Sequence, residues 1–292
     1  MLMTTLGAVF LPYLPPERLR SIVEKAEECG LEELWLWEDC FRESGIATAA
    51  AALAWSDTLR VGVGLLPVPL RNVAATAMEI ATLERLFPGR VRIAVGHGAQ
   101  DWMHQVNARV ESPLTLLREY LDALRALLRG ETVSTEGRYV TLRNVTLDWP
   151  PERAPEILAG AIGPRSMRLV GGSADGAVVV AGTSPAALTE AISLLNEGAH
   201  AASRPEPVPV VLYVHAATGP TADERMEGER ERWGYESTVD RVVTGDAKAI
   251  AAAVRTWAAA GAQTVILQPT PDEPDLEGFI EMVARDIRPL VD

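Results

Sequence analysis

The sequence predicts an α/β fold in which eight parallel strands, each followed by a helix, close into a (β/α)8 TIM barrel. Two observations predict it. Short apolar runs with little charge, typical of strands buried on both faces, alternate eight times with longer segments of helical periodicity. Glycine repeatedly follows the apolar runs, at the strand ends where such folds bind ligands. With 292 residues and 48% hydrophobic content, the chain is predicted to form one domain over residues 1–292.

The segment of residues 60–98 shows this alternation most clearly. Residues 61–66 form a short uncharged apolar run with two glycines, and Asn72 can cap the helix that follows. Apolar side chains then recur at helical spacing, before residues 91–95 form a second apolar run. This run leads into Gly96-His97-Gly98. The segment is therefore predicted to be a βαβ unit with parallel strands.

The same signs predict the other elements in order. The eight predicted strands are residues 5–11, 33–37, 61–66, 91–95, 156–159, 176–181, 208–214 and 264–268. The predicted helices are residues 15–30, 47–55, 73–87, 113–128, 163–172, a helix starting at Ser184-Pro185, 246–260 and 276–290. Residues 100–104 are expected to form a loop or short turn, and residues 218–240 an exposed helix and loop. Residues 131–150 alternate like an irregular hairpin, which predicts an excursion between two barrel units.

Composition excludes several classes of function. The net charge of −13 argues against binding to nucleic acid, which needs a basic surface. Two cysteines are too few for a disulfide framework, and the four histidines lack metal-ligand spacing, so no metal is expected. Apolar runs are too short for a membrane span, and the N-terminus lacks a basic region followed by an apolar core. We therefore expect a soluble cytoplasmic protein that binds a small molecule and neither nucleic acid nor membrane.

Residues at the carboxyl ends of the predicted strands are the candidates for chemistry, because barrels of this kind carry their sites there. Asp39 could accept a hydrogen bond or a proton. The same sequence is also compatible with a structural Asp39 that caps a helix or forms an ion pair in a loop. His97 could act in the mouth of the barrel or be a structural group. The full set is Phe10-Leu11-Pro12, Glu38-Asp39-Cys40, Gly64-Leu65-Leu66, Gly96-His97-Gly98, Gly160-Ala161-Ile162, Gly182-Thr183, His215 and Gln268.

Two glycine-rich turns lie at corresponding strand ends. Gly160-Ala161-Ile162-Gly163 precedes one predicted helix, and Gly182-Thr183-Ser184 precedes the next. Backbone N–H groups at the start of a helix bind phosphate. The pair of turns therefore favours a phosphate-bearing ligand.

Three stretches of the sequence resemble the bacterial luciferase-like family of flavin and deazaflavin enzymes. They are LWLWEDCF, ATLERLFPGRVRIAVGHG and GPRSMRLVGGSADGAVV, in the order in which the family has its matching segments. The resemblance implies a TIM barrel with the cofactor in its mouth and Asp39 beside the ring. It also implies that Gly64-Leu65, often a non-proline cis peptide in the family, lies beneath the middle ring. The turns at Gly160–Gly163 and Gly182-Thr183 would then hold the cofactor phosphate, while His97 and Gly98 border the ring.

The loop GHGAQDWM and the turn Gly160–Arg165 are more similar to the branch that uses coenzyme F420, a deazaflavin, as in methylenetetrahydromethanopterin reductase-like proteins. This implies hydride transfer between F420 and a small organic substrate, with Asp39 and His97 as catalytic candidates. An FMN-dependent monooxygenase is the alternative within the family, and a non-catalytic flavin- or deazaflavin-binding protein is the alternative of another class. Family members are often dimers, so a homodimer is compatible with the resemblance.

Two departures from the family narrow the expected substrate. Deazaflavin-dependent sugar-phosphate dehydrogenases have Asp-His where this chain has Asp39-Cys40. They also carry a glutamate after the fourth strand, where this chain has His97-Gly98-Ala99-Gln100. The resemblance therefore argues against sugar-phosphate oxidation.

Overall fold

Eight parallel strands close into a barrel surrounded by helices, as the sequence predicts. The computed structural model describes residues 4–235 and 241–291. The strands are β1 Thr5–Val9, β2 Glu33–Leu36, β3 Arg60–Pro67, β4 Val91–Gly96, β5 Val133–Glu136, β6 Thr141–Val145, β7 Ile157–Gly160, β8 Gly176–Val179, β9 Val210–Ala217, β10 Val242–Thr244 and β11 Thr264–Gln268.

The helices follow the strands along the chain. They are α1 Leu19–Cys29, α2 Gly45–Ala54, α3 Val73–Leu86, α4 Gln100–Gln105, α5 Pro113–Leu128, α6 Pro164–Ser173, α7 Pro185–Ala201, α8 Ala222–Trp233, α9 Ala247–Ala259 and α10 Leu276–Met282. A π-helical turn at Val283–Ile287 and a 3-10 turn at Arg288–Leu290 extend the last helix. Within the described residues, no helix has the length and apolar character needed to cross a membrane.

The barrel closes in the order β1-β2-β3-β4-β7-β8-β9-β11, and β11 pairs with β1. Every pairing in it is parallel. The short β10 pairs in parallel with the last residues of β9, where Val242 is opposite His215. Strands β5 and β6 form a separate antiparallel hairpin, which confirms the predicted excursion at residues 131–150. Because all barrel strands run the same way, their carboxyl ends meet at one mouth.

Aromatic side chains fill the barrel interior beneath this mouth. The indole of Trp35 lies under β3, where a Cβ atom added to Gly62 would come within 2.3 Å of the ring. The Tyr213 ring packs edge-to-face on Trp35, with centroids 5.8 Å apart. Both side chains are almost completely buried. The interior is therefore a packed core up to the level of Gly64, and free space begins above it.

Charged groups at the opposite end of the barrel are joined in ion pairs. Glu33, at the start of β2, has no exposed side-chain surface, accepts a hydrogen bond from Trp35 Nε1 (2.8 Å), and lies 3.3 Å from Arg92 and 3.4 Å from Arg60. The contacts with Arg60 and Arg92 join the start of β2 to β3 and β4. Buried charge is tolerated when it is paired in this way.

Asp175 forms a second ion cluster at the same end, just before β8. Its carboxylate accepts two hydrogen bonds from Arg125, one from Arg204 and one from the Ile157 backbone. These bonds hold the pKa of Asp175 below its ordinary value, although burial raises it. The cluster joins α5 to the starts of β7 and β8, which is a structural role.

The structure corrects the prediction in three places. Residues 100–104 form helix α4, anchored by the buried Met103, because one amphipathic turn is too short to show periodicity. The three-residue β10 was missed for the same reason. Residues 218–240 were predicted to be exposed, yet α8 buries Arg225, Met226 and Glu229; residues 236–240 lie outside the described part of the chain. Buried charged side chains here mask the apolar pattern that would reveal the packed face.

Candidate active site

A cavity of about 860 Å³ opens at the carboxyl ends of the barrel strands. Pockets of roughly 300–1,000 Å³ with mainly apolar walls are typical of small-molecule sites. Ten of the eleven predicted site residues line it: Asp39, Gly64, Leu65, His97, Gly98, Gly160, Ala161, Ile162, Gly182 and Thr183. Gly163 is not among the lining residues. The neighbouring Cys40 does not line the cavity either; it precedes a cis peptide bond to Phe41.

Two adjacent acids at the end of β2 have different surroundings. Glu38 accepts hydrogen bonds from the Gly45 backbone and from the Arg71 guanidinium, both at 2.9 Å. The Asp39 carboxylate makes no hydrogen bond or ion pair with the residues that the structure describes. Burial raises the pKa of Asp39, against the opposing charges of Arg42 and Arg232. Glu38 is therefore a structural acid, and Asp39 is free to bind a ligand group.

His97 follows β4 and forms part of the cavity wall. Its Nδ1 atom is buried and has no hydrogen-bond partner among the described residues. Burial lowers the pKa of the imidazole, opposed by an interaction with the Pro113 backbone. The following Gly98 has a φ of +67°, and a Cβ atom there would lie 2.9 Å from the Pro67 side chain. Glycine at this position thus allows the chain to turn tightly beside His97.

Gly64 and Leu65 form the floor of the cavity and are joined by a cis peptide bond, as the resemblance implies. A Cβ atom on Gly64 would lie 2.2 Å from the Tyr213 hydroxyl. The Leu65 side chain crosses towards β4 and β7, where Cβ atoms on Gly96 and Gly160 would approach it to 2.6 and 2.4 Å. The floor therefore depends on glycine in three strands, β3, β4 and β7.

The two predicted phosphate turns are built differently. At the start of α6, Gly163 is the N-cap and offers no side-chain cap, while Ser166 in the first turn lines the cavity. At the start of α7, the Ser184 hydroxyl already accepts from the Ala187 N–H at 3.2 Å. The free N–H groups at the start of α6 are therefore better placed to bind an anion.

Tyr235 further restricts the turn before α7. Its hydroxyl donates to the Ala181 carbonyl at 2.9 Å. Its ring packs so closely that a Cβ atom on Gly182 would lie 2.2 Å from it. A phosphate on this turn would have to compete with these contacts for space.

An aromatic wall completes the cavity, and most of it was not predicted from the sequence. Its members are Trp37, Trp102, Tyr213, Trp233 and Tyr235. Trp37 packs edge-to-face on Tyr213, with centroids 5.7 Å apart. The Trp37 Nε1 and Tyr213 hydroxyl atoms are buried. The Trp37 side chain lowers the pKa of Tyr213, which burial raises, but neither atom makes a hydrogen bond of good geometry within residues 4–235 or 241–291. The signal in the sequence was the alternation of Tyr213 and His215 on one face of β9.

Helix α8 brings Trp233 to the cavity and is tied to the barrel at both ends. Near its start, the buried Arg225 bonds to Thr270 and Glu273, each at 2.7 Å. Near its end, the Arg232 guanidinium donates to the Tyr13 hydroxyl and lies 4.6 Å from the centre of that ring. These contacts fix the position of the aromatic wall relative to β1 and β11.

Comparison with known proteins places this geometry in a family. The sequence profile of the luciferase-like monooxygenase family matches residues 2–270. The chain is 27% identical over 210 residues to 5,10-methylenetetrahydromethanopterin reductase of Methanolobus tindarius, covering 72% of this chain and 64% of that protein. The chain thus spans less than two thirds of the length of this relative.

Two solved structures show the same fold. One is an F420-dependent secondary alcohol dehydrogenase in complex with an F420–acetone adduct, with a TM-score of 0.88, 20% identity and 99% coverage of both chains. Another is the oxygenating constituent of 3,6-diketocamphane monooxygenase from Pseudomonas putida in complex with FMN, with a TM-score of 0.79, 17% identity and 99% coverage of both chains. At these identities the likeness concerns the fold alone. The match to the family profile extends over nearly the whole chain, which belongs to the luciferase-like monooxygenase family.

Proposed function

We propose that this protein is an oxidoreductase that binds coenzyme F420 in the cavity and transfers hydride between it and a small organic substrate. The observation that carries the proposal is the set of buried polar groups around an apolar cavity that lack partners in the described chain. The buried members are Trp37 Nε1 and His97 Nδ1. Beside them lies the half-buried Asp39 carboxylate, which makes no hydrogen bond or ion pair with the described residues. Burying such groups is costly unless something bonds to them, and a polar ring in the cavity would do so.

The F420 branch is favoured by the relatives named above. The alcohol dehydrogenase of the same fold is F420-dependent by its description. The reductase of Methanolobus tindarius carries the name of the proteins through which the sequence resembles this branch. When bound, F420 would supply the hydride donor or acceptor. The residues of this chain would position it and exclude water.

The cavity floor fits a flat ring system. Gly64 presents backbone without a side chain, and Leu65 is held in place against Gly96 and Gly160. The start of α6, with Ser166 facing the cavity, is the proposed phosphate site. Gly182-Thr183 is proposed to contact the cofactor from the outer wall of this site.

Asp39 and His97 are proposed to handle protons. Burial raises the pKa of the Asp39 carboxyl, so it holds a proton at higher pH than an exposed aspartate does. Burial lowers the pKa of His97, so the imidazole is a neutral donor and acceptor near pH 7. A positioned acid–base group contributes about 10² or more to rate.

Fluorescence titration of the purified protein with F420 and with FMN tests the proposal. We expect F420 to bind at least about tenfold more tightly, equivalent to roughly 1.4 kcal/mol. Asp39→Asn and His97→Ala should each lower turnover by about 10², while His104→Ala, at an exposed histidine, serves as the control. Tighter binding of FMN would assign the FMN-dependent monooxygenase reaction instead. If the chain binds the cofactor and both variants keep wild-type turnover, Asp39 and His97 have structural roles.

A further inference from the structure

The mouth of the barrel has two sides that carry different groups. The proposed cofactor floor lies on β3, β4 and β7, whereas β9 and β11 lie across the barrel from β3 and β4. His215 on β9 pairs in register with Gln268 on β11. Both side chains line the cavity, although only 1% and 5% of their surfaces are exposed. A second reactant facing the floor would therefore meet β9 and β11.

His215 is a neutral polar group in this second wall. Its Nδ1 atom is buried and makes no hydrogen bond within the described part of the chain. Its ring lies 5.9 Å from Tyr235, and Tyr213 lies two residues earlier on the same face of β9. Burial, aided by the positive charge of Arg232, lowers the pKa of His215 to about 4. The imidazole is thus uncharged near pH 7, with one donor and one acceptor nitrogen.

The charged residues of the cavity argue against an anionic substrate. Among the described residues that line it there is no lysine or arginine, and the only carboxylates are Glu38 and Asp39. Glu38 is already paired with Arg71. A carboxylate or phosphate of the substrate would meet a carboxylate and apolar walls. The two arginines whose charge reaches Asp39, Arg42 and Arg232, do not line the cavity and already bond to the Pro12 carbonyl and to Tyr13 and Glu229. An uncharged polar group avoids this cost.

We propose that His215 is the residue that hydrogen-bonds the substrate oxygen, and that the substrate is an uncharged carbonyl compound or alcohol with an apolar body. Neutral imidazole is suited to this contact because it can donate to a carbonyl oxygen or accept from a hydroxyl. The aromatic side chains Trp37, Trp102 and Trp233 would pack against the apolar body. The inference rests on the proposed function in taking this cavity as the reaction site.

The test uses binding to the full chain without cofactor and compares acetophenone with benzoate, which share a ring and differ in charge. Calorimetric titration at pH 7 should show acetophenone binding at least about tenfold more tightly. His215→Leu should weaken acetophenone binding about 3- to 10-fold, as for the loss of one hydrogen bond. His215→Gln, which keeps a neutral donor and acceptor, should restore most of it. His200→Leu makes the same change at a histidine whose side chain is 89% exposed and should have no effect.

Three results would overturn the proposal: benzoate binding as tightly as acetophenone, a folded His215→Leu variant with unchanged affinity, or no acetophenone binding at millimolar concentration. The comparison of the two probes in the wild-type chain needs no variant, so misfolding of His215→Leu does not remove the test. Failure of the chain to bind F420 would reject the proposed function, but acetophenone would still bind more tightly than benzoate. The two failures are therefore distinguishable.

Discussion

Buried polar groups have bonding partners at one end of the barrel and lack them at the other. At the amino ends of the strands, Glu33 and Asp175 are each joined to two arginines and to a further N–H group. At the carboxyl ends, the Asp39 carboxylate and the Tyr213 hydroxyl have no partner among the described residues. The paired groups at the amino ends have a structural role, because they hold the strands in register. The second set costs stability in the free protein, which is typical of a site that a ligand completes.

The largest effect is expected at the amino end. Glu33→Ala removes the partner of Arg60 and Arg92 and leaves the Trp35 N–H buried without an acceptor. Breaking such a buried pair costs about 3 kcal/mol or more of the free energy of unfolding. Asp39→Ala, the matched change at the other end, should cost less than about 1 kcal/mol. Urea denaturation of both variants measures the difference, and equal losses would remove the distinction between the two ends.

Gly64→Ala should produce the next largest effect. The new methyl group would lie 2.2 Å from the Tyr213 hydroxyl and 2.9 Å from the Trp35 ring. Overpacking of this kind typically costs 1–3 kcal/mol. Adding Tyr213→Phe removes the nearest atom, so the double variant should recover part of the loss. Gly228→Ala is the control, because nothing lies within 4 Å of the added Cβ atom there. A Gly64→Ala variant as stable as wild type would show that the floor adapts easily.

The fold and the position of the cavity could be predicted from the sequence because both depend on local patterns. Apolar runs, helical periodicity and glycine at strand ends are visible along the chain, and ten predicted residues do line one cavity. Which hydrogen bonds a side chain makes, in contrast, depends on residues that are distant in sequence. Glu38 and Asp39 are neighbours, and only the fold brings Arg71, 33 residues away, to Glu38. The role of Tyr213 was missed likewise, since its contacts lie on β2 and β3.

Two buried tyrosines offer a smaller test of the same comparison. The Tyr120 hydroxyl donates to Thr76 at 2.8 Å, whereas the Tyr213 hydroxyl has no partner in the described chain. Tyr120→Phe should therefore cost about 1 kcal/mol of unfolding free energy. Tyr213→Phe should leave stability unchanged or raise it slightly, because it removes a polar group that burial penalises. Thermal and urea unfolding compare the two, and an equal loss in both would mean that the Tyr213 hydroxyl is satisfied in the free protein.

The smallest effect, and the one with a definite dependence on pH, concerns Asp39→Asn. The folded-state pKa of Asp39 is raised by burial above its ordinary value of 3.8. The folded chain therefore binds this proton more tightly than the unfolded chain, so the contribution of Asp39 to stability is greatest below that value. It is lost as pH rises through the folded pKa.

Asparagine does not ionise, so Asp39→Asn should become more stable relative to wild type as pH increases from about 4 to 7, by on the order of a few tenths of a kcal/mol. Asp175→Asn is the opposite case. Its partners lower the pKa of Asp175, so the stability that the carboxylate provides is present above its ordinary pKa and is lost as pH falls. That variant should therefore lose most stability relative to wild type above pH 3.8, and progressively less as pH falls below that value. Urea denaturation from about pH 2 to 7 measures both slopes. Slopes of the same sign would show that Asp39 is held by charged partners as Asp175 is, and the carboxylate at the mouth would then be part of the scaffold.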